Sequence, residues 1–196
     1  MNTINKRKHK KLRKPVKLVI SLLVLVCVSV GGTVAYLTSK GSVTNQFTVA
    51  KVDTEVIEKF DGTEKKNVTA TNKGDVPAFI RIKLVTYRVN DIGDHIGGTA
   101  TISKFTPGTD WFKSGDCYYY SKPVQPGQQP VFDLIGDSGI TLETYHDADG
   151  GKQVIEVIAE AIQATPAQAI SDAWGNYVDV HVNTTTGEPE SISAKS

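Results

Sequence analysis

Residues 18–37 constrain this chain more than any other stretch, because they form an apolar run directly after a cationic head. No charged residue lies between Leu18 and Ser39, whereas residues 1–17 hold eight Lys and Arg and no acid. A basic head, an apolar middle and a small-residue end are typical of a secretory signal peptide. The apolar core, residues 18–30, is shorter than the roughly 20 residues that a membrane span needs. Gly31 and Gly32 then interrupt a helix.

The end of the run predicts a cleavage site. Thr33, Val34 and Ala35 place small residues at positions −3 and −1 of a cut before Tyr36, as signal peptidase requires. We therefore predict a signal peptide over residues 1–35, with membrane contact only during export. The alternative is a retained anchor, because extending the run to Leu37 gives just enough length to span a bilayer.

Removal of the signal peptide would reverse the net charge of the protein. The whole chain has 22 Lys and Arg and 21 Asp and Glu, hence +1. Residues 36–196 keep 14 of the bases and all 21 acids, which gives −7. No basic patch remains, so the sequence argues against a nucleic-acid partner. Cys117 is the only cysteine after the cut, so core packing or neighbouring subunits must hold the fold without an internal disulfide.

The rest of the chain has the pattern of a β-rich domain over residues 47–182. Residues 78–89 form the strongest predicted strand, with Ile80 and Ile82 on one face and Arg81 and Lys83 on the other. A short helix is predicted over residues 167–174, after a capping box of Thr165 and Gln168. Residues 36–46 are predicted to be flexible and residues 183–196 disordered. Other predicted strands are 47–56, 66–71, 131–134, 140–145 and 178–182, while 153–164 fits either a helix or a strand.

The chain shows none of the common catalytic signatures. There is no His-Glu-x-x-His zinc motif, no Gly-x-Ser-x-Gly elbow and no P-loop. The sequence therefore predicts a protein that is not an enzyme and needs no cofactor. Asp147 and Asp149 form an Asp-x-Asp-Gly fragment of a calcium loop, which makes them a weak metal candidate. The spacing of the following residues favours a simple turn instead.

A cluster of aromatic residues offers a second candidate site. Trp111, Tyr118, Tyr119 and Tyr120 lie close together around a Gly-Asp turn. On an exposed loop they could bind a glycan or a host protein, as aromatic side chains do at many interfaces. The alternative is that they are core and edge aromatics.

Three stretches resemble a known family. Residues 31–36 with 43–49, residues 72–82, and residues 159–164 with 173–175 resemble proteins processed by the SipW-type signal peptidase. These are the TasA-like and camelysin-like proteins of Gram-positive bacteria, and the late stretch is most similar to the BsaA-type branch. The resemblance covers roughly residues 31–175. It implies a jelly-roll-like antiparallel β-sandwich in which 154–164 is a strand.

The resemblance also implies a function. Such proteins are secreted subunits of biofilm matrix fibres, found in the extracellular matrix or at the cell surface. The implied partners are other copies of the same chain, the SipW-type peptidase and an accessory matrix protein. The segment after the cut would be donated to the next subunit as a strand, with Val43, Asn45, Phe47 and Val49 as its assembly residues. The alternatives are a surface adhesin and a camelysin-like metalloprotease, the latter without a metal motif in this sequence.

Overall fold

The structure is a computed structural model, and it describes residues 51–196. The signal peptide, the cleavage site and the donor segment predicted above lie outside the described residues. These comprise Thr33, Val34, Ala35 and Tyr36 at the predicted cut, and Val43, Asn45, Phe47 and Val49 in the predicted assembly strand.

The regular structure of residues 51–196 is mostly β-strand, with a single α-helix. The strands are β1 (Thr54–Phe60), β2 (Glu64–Asn72), β3 (Ala78–Val89), β4 (His95–Ile96), β5 (Trp111–Ser114), β6 (Cys117–Tyr120), β7 (Ile140–Thr141), β8 (Lys152–Gln163), β9 (Val178–Val182) and β10 (Pro189–Ala194). The helix, α1, spans Ala167–Trp174. The predicted all-β class is therefore confirmed.

All strand pairs are antiparallel and form two sheets and a hairpin. The first sheet has the order β1-β2-β7, and β9 and β10 form the hairpin. The second sheet has the order β4-β3-β6-β5, with β8 on the opposite side of β3. The β3–β8 pair is the longest, running in one register from Ala78↔Gln163 to Val89↔Lys152. The ambiguous 153–164 segment is therefore a strand.

Two hydrophobic clusters lie on opposite faces of the second sheet. The first fills the space between the sheets, and the second lies between the outer face of the second sheet and the layer formed by α1, β9 and β10. Successive side chains of a strand lie on opposite faces of the sheet, so one strand contributes residues to both clusters. In β3, Ile80 and Ile82 enter the first cluster, and Phe79 enters the second.

The end of the chain differs from the sequence prediction. Residues 183–196 were expected to be disordered, but Pro189–Ala194 forms β10 and pairs with β9. Ile192 is 2% exposed, and its backbone N–H donates to the oxygen of Ser121 at 2.9 Å. The polar composition of this segment predicts disorder. Composition does not report the tertiary contacts of the single isoleucine, and those contacts order the segment. The prediction was wrong for this reason.

Three smaller expectations also need correction. Residues 131–134 form no strand; they lie in a loop whose Leu134 N–H donates to Val68 O at 2.8 Å. The strand predicted over 140–145 is limited to Ile140–Thr141. The helix bounds are confirmed, but Pro166 occupies the N-cap without a side-chain cap, so the predicted capping box does not form. Gln168 instead donates to Asp172 Oδ1.

Candidate assembly edge

Beyond a bridge between Lys152 and Thr144 at its start, the outer edge of β8 has no strand partner among residues 51–196, and its ladder partner there is β3. Its odd-numbered residues point their backbone groups away from β3, since Gln153 N–H donates to Glu143 O at 2.8 Å. Thr54 Oγ1 likewise donates to Ala159 O at 3.3 Å from outside the sheet. Between Ile155 and Gln163, no backbone group of the described chain hydrogen bonds to this edge. With the exception of Ala159 O, which accepts from Thr54, the outward backbone donors and acceptors between Ile155 and Gln163 are therefore open to an added strand.

The same residues of β8 turn their side chains towards the first cluster. Ile155 is buried, while Val157, Ala159 and Ala161 pack against the cluster from its margin. A strand added at this edge would share the alternation of β8, so every second side chain would cover that margin. The edge therefore offers both backbone pairing and apolar contact.

The neighbouring edge strand, β1, is interrupted by a bulge that β8 lacks. Its pairing with β2 is interrupted by a bulge between Ile57 and Lys59. It also carries the charges of Glu55, Glu58 and Lys59 along only seven residues. Bulges and charged side chains are common means of preventing unwanted pairing at an edge. The contrast identifies β8 as the available edge.

The chain enters the described domain at a fixed point near this edge. Lys51 N–H donates to Asp75 Oδ1 at 2.8 Å, and Asp75 N–H donates back to Lys51 O at 3.0 Å. Lys73 N–H donates to Asp53 O at 2.9 Å, which extends the β1–β2 ladder towards Lys51. Lys51 is thus fixed beside the turn between β2 and β3, at the end of the first sheet.

Three of the four predicted binding aromatics are buried in the domain. Trp111, Tyr119 and Tyr120 are 7%, 0% and 2% exposed, and Tyr118 is half-buried. Trp111 Nε1 donates to Phe132 O at 2.7 Å, and Val131 N–H donates to Tyr120 Oη at 3.2 Å. The prediction of an exposed aromatic binding loop is therefore wrong for the three buried rings, and the alternative of core aromatics holds. Their polar atoms fix a neighbouring loop.

Asp147 forms a salt bridge with Arg88 in this structure. Arg88 is 5% exposed, and its Nη1 lies 2.8 Å from both carboxylate oxygens of Asp147. This bond, with the N–H donors of Gly150 and Asp149, lowers the pKa of Asp147 below its usual value. Asp149 donates its backbone N–H to this carboxylate, as expected of a turn. Within residues 51–196, no group of three or more His, Cys, Asp or Glu is placed to hold a metal ion.

Cys117 lies in a polar cleft of about 400 Å³ beside α1. Arg81 crosses this cleft, donates from Nε to Glu160 Oε2 at 2.8 Å and stacks on Trp174 at 5.0 Å from the ring centroid. Burial raises the pKa of the Cys117 thiol, and the positive charge of Arg81 offsets only part of that effect. The thiol is therefore mainly protonated at neutral pH and is a weak nucleophile.

One exposed pair was not anticipated from the sequence. The β9–β10 register brings His181 Nε2 to 2.8 Å from Ser193 Oγ. Asp179, the nearest carboxylate on β9, accepts instead from Lys195 Nζ at 2.8 Å. A hydrolytic triad needs a carboxylate that orients the imidazole. Asp179 does not supply it, so the pair does not form a triad with this residue.

No helix within residues 51–196 is long and apolar enough to cross a membrane.

Comparison of the chain with protein-family models, with curated proteins and with solved structures finds no match. Its function is therefore inferred from its own residues.

Proposed function

We propose that this protein is a secreted structural subunit of extracellular matrix fibres, of the kind that the TasA-like resemblance implies. Polymerisation occurs when residues 36–50 of one copy add as a strand to the outer edge of β8 in the next copy. The open edge of β8 is the observation that carries this proposal. A jelly-roll-like arrangement of the two sheets is part of the same proposal.

Strand addition accounts for the features of the edge. It gives partners to backbone groups between Ile155 and Gln163 and covers the apolar margin at Val157 and Ala161. Donor and acceptor are different surfaces of one chain, so the contact is head-to-tail. A head-to-tail contact that does not close into a ring produces an open filament.

Cleavage before Tyr36 is the proposed control step. A chain still held by its apolar segment cannot place residues 36–50 in another subunit, whereas the cut frees their N-terminal end. A SipW-type peptidase is the proposed processing enzyme, and an accessory matrix protein is a proposed further partner. The fibres need no cofactor and no catalytic residue.

The alternatives receive less support. An adhesin would need an exposed recognition surface, and the aromatic cluster that suggested one is mostly buried. A metalloprotease would need a metal-ligand set, for which the described residues offer no candidate group.

The proposal is tested by two changes in the chain that begins at Tyr36. Deletion of residues 36–46 removes most of the donor, including Val43 and Asn45, and Ala161→Pro removes an outward N–H without breaking a β3–β8 hydrogen bond. Ala161→Gly is the control for a weakened strand, because it lowers strand propensity but keeps the N–H. We expect fibres in negative-stain micrographs from the parent and from the glycine variant, and a folded domain without fibres from the other two.

Fibres that persist in both the deletion and the proline variant would contradict strand donation. Circular dichroism of each variant distinguishes a blocked edge from an unfolded domain. N-terminal sequencing of the exported form tests the cut independently, and a start other than Tyr36 or its immediate neighbours would contradict the proposed site.

A further inference from the structure

Val131 and Phe132 form an exposed apolar knob on a rigid loop. Their exposed fractions are 79% and 46%, which is unusual for adjacent large apolar residues. The loop backbone is nevertheless fixed, because Val131 N–H donates to Tyr120 and Phe132 O accepts from Trp111. Two buried aromatic residues thus use their polar atoms to hold an apolar tip in water. A preorganised tip loses little conformational entropy when it binds.

Acidic residues follow the knob. Asp133 and Asp137 both lie near the side-chain amide of Asn67, at 3.4 Å and 2.8 Å from Nδ2. Neither carboxylate has a salt-bridge partner among residues 51–196. The knob therefore combines an apolar tip with uncompensated negative charge.

A cleft on the same β5–β6 hairpin that anchors the knob is lined mainly by apolar, aromatic and basic residues. Its volume is about 310 Å³, and Phe105 and Tyr118 line it with ring centroids 5.3 Å apart. Lys104 and Lys113 lie at its rim and have no salt-bridge partner in the described part of the chain. The acidic Asp116 is also at the rim, but its carboxylate faces Lys83 at 3.7 Å. Leu84 and Ile102 complete the apolar lining.

We propose that the knob of one copy inserts into this cleft of a second copy. The apolar tip of Val131 and Phe132 covers Phe105 and Tyr118, while the carboxylates of Asp133 and Asp137 approach the two free lysines. Opposite charge around an apolar centre favours this orientation and speeds the encounter. The contact uses neither β8 nor residues 36–50. It therefore goes beyond strand donation and joins copies at a second place.

Site-specific photo-cross-linking tests the contact in the full chain. Benzoylphenylalanine replaces Phe132, cells expressing the protein are irradiated, and dimers are resolved on denaturing gels. We expect a dimer whose cross-linked peptide contains residues 102–105 or Lys113. The charge-reversal pair Lys104→Glu and Lys113→Glu should lower the dimer yield at least fivefold. The same probe at Ile92, an 83% exposed residue on another turn, is the control for random collision.

Three results would overturn the contact. They are the absence of a dimer, a cross-link mapped outside the cleft, or equal yields from positions 92 and 132. Deletion of residues 36–46 separates this inference from the proposed function. We expect that deletion to abolish fibres while the cross-linked dimer remains, and a dimer that disappears with the deletion would contradict an independent contact.

Discussion

Ile170→Ala should destabilise the domain strongly, because Ile170 holds the C-terminal layer against the second sheet. The side chain is fully buried in the second cluster. The substitution removes three carbon atoms, for about 2.4 kcal/mol of lost transfer free energy at about 0.8 kcal/mol each. The residual cavity raises the expected loss to about 3–4 kcal/mol. For a domain of this size, that lowers the melting temperature by about 10 °C.

Ile158→Ala is the comparison variant, because it makes the same side-chain truncation at a partly exposed position of β8, a strand of the sheet against which α1 packs. Ile158 is 40% exposed, so only about 60% of the transfer term applies and no enclosed cavity remains. We expect a loss of about 1.4 kcal/mol, or about 4 °C. Thermal unfolding followed by circular dichroism, on chains that begin at Tyr36, measures both variants.

A chain that ends at Gly187 extends the test to β10. It lacks the buried Ile192 and the β9–β10 ladder, so its melting temperature should fall at least as far as that of Ile170→Ala. Equal effects of the two isoleucine variants, or an unchanged melting temperature after truncation, would refute the claim that this layer is an integral part of the domain.

The remaining predictions concern the buried arginine and the free thiol. Arg88→Met should lower the melting temperature more than Arg88→Lys, because the lysine keeps a positive charge near Asp147. The pKa of Asp147 is lowered in the folded state, so its contribution is complete above the unfolded pKa of about 3.9 and disappears as pH falls through the folded value. As pH falls, the melting temperature of Asp147→Asn should therefore decrease less than that of the parent. Cys117 should react slowly with a thiol reagent at pH 7 and rapidly after unfolding, since burial raises its pKa; equal rates would contradict its partly buried position.

Local pattern was sufficient where one face of a strand is buried along its whole length. Residues 78–89 were predicted to the residue, because Ile80 and Ile82 alternate with charged neighbours and the register follows from burial. The helix was also predicted to the residue, since Pro166 and Gly175 limit it on either side.

Other elements could not be predicted from the local hydrophobic pattern, because their structure depends on tertiary contacts. Ile192 is isolated among polar residues, and only its contact with the second cluster makes β10 a strand. Leu134 and Ile135 are buried like strand residues, but they bond to β2 as an irregular loop. The open edge of β8 was also invisible in the sequence, because it depends on which strands pair and not on the composition of any one of them.

Under the proposed assembly, the charge distribution of the chain favours strand donation over the pairing of two β8 edges. Residues 51–196 carry 13 bases and 21 acids, or −8, so net charge disfavours edge-to-edge pairing of two β8 strands. Residues 36–50 contain Lys40 and no acid, so this segment alone carries +1. In the proposed assembly, net charge therefore favours the pairing of β8 with the N-terminal segment of a neighbour over its pairing with the neighbour's β8. Because charges are screened over about 10 Å at 0.1 M salt, added salt should weaken this discrimination and favour disordered association over fibres.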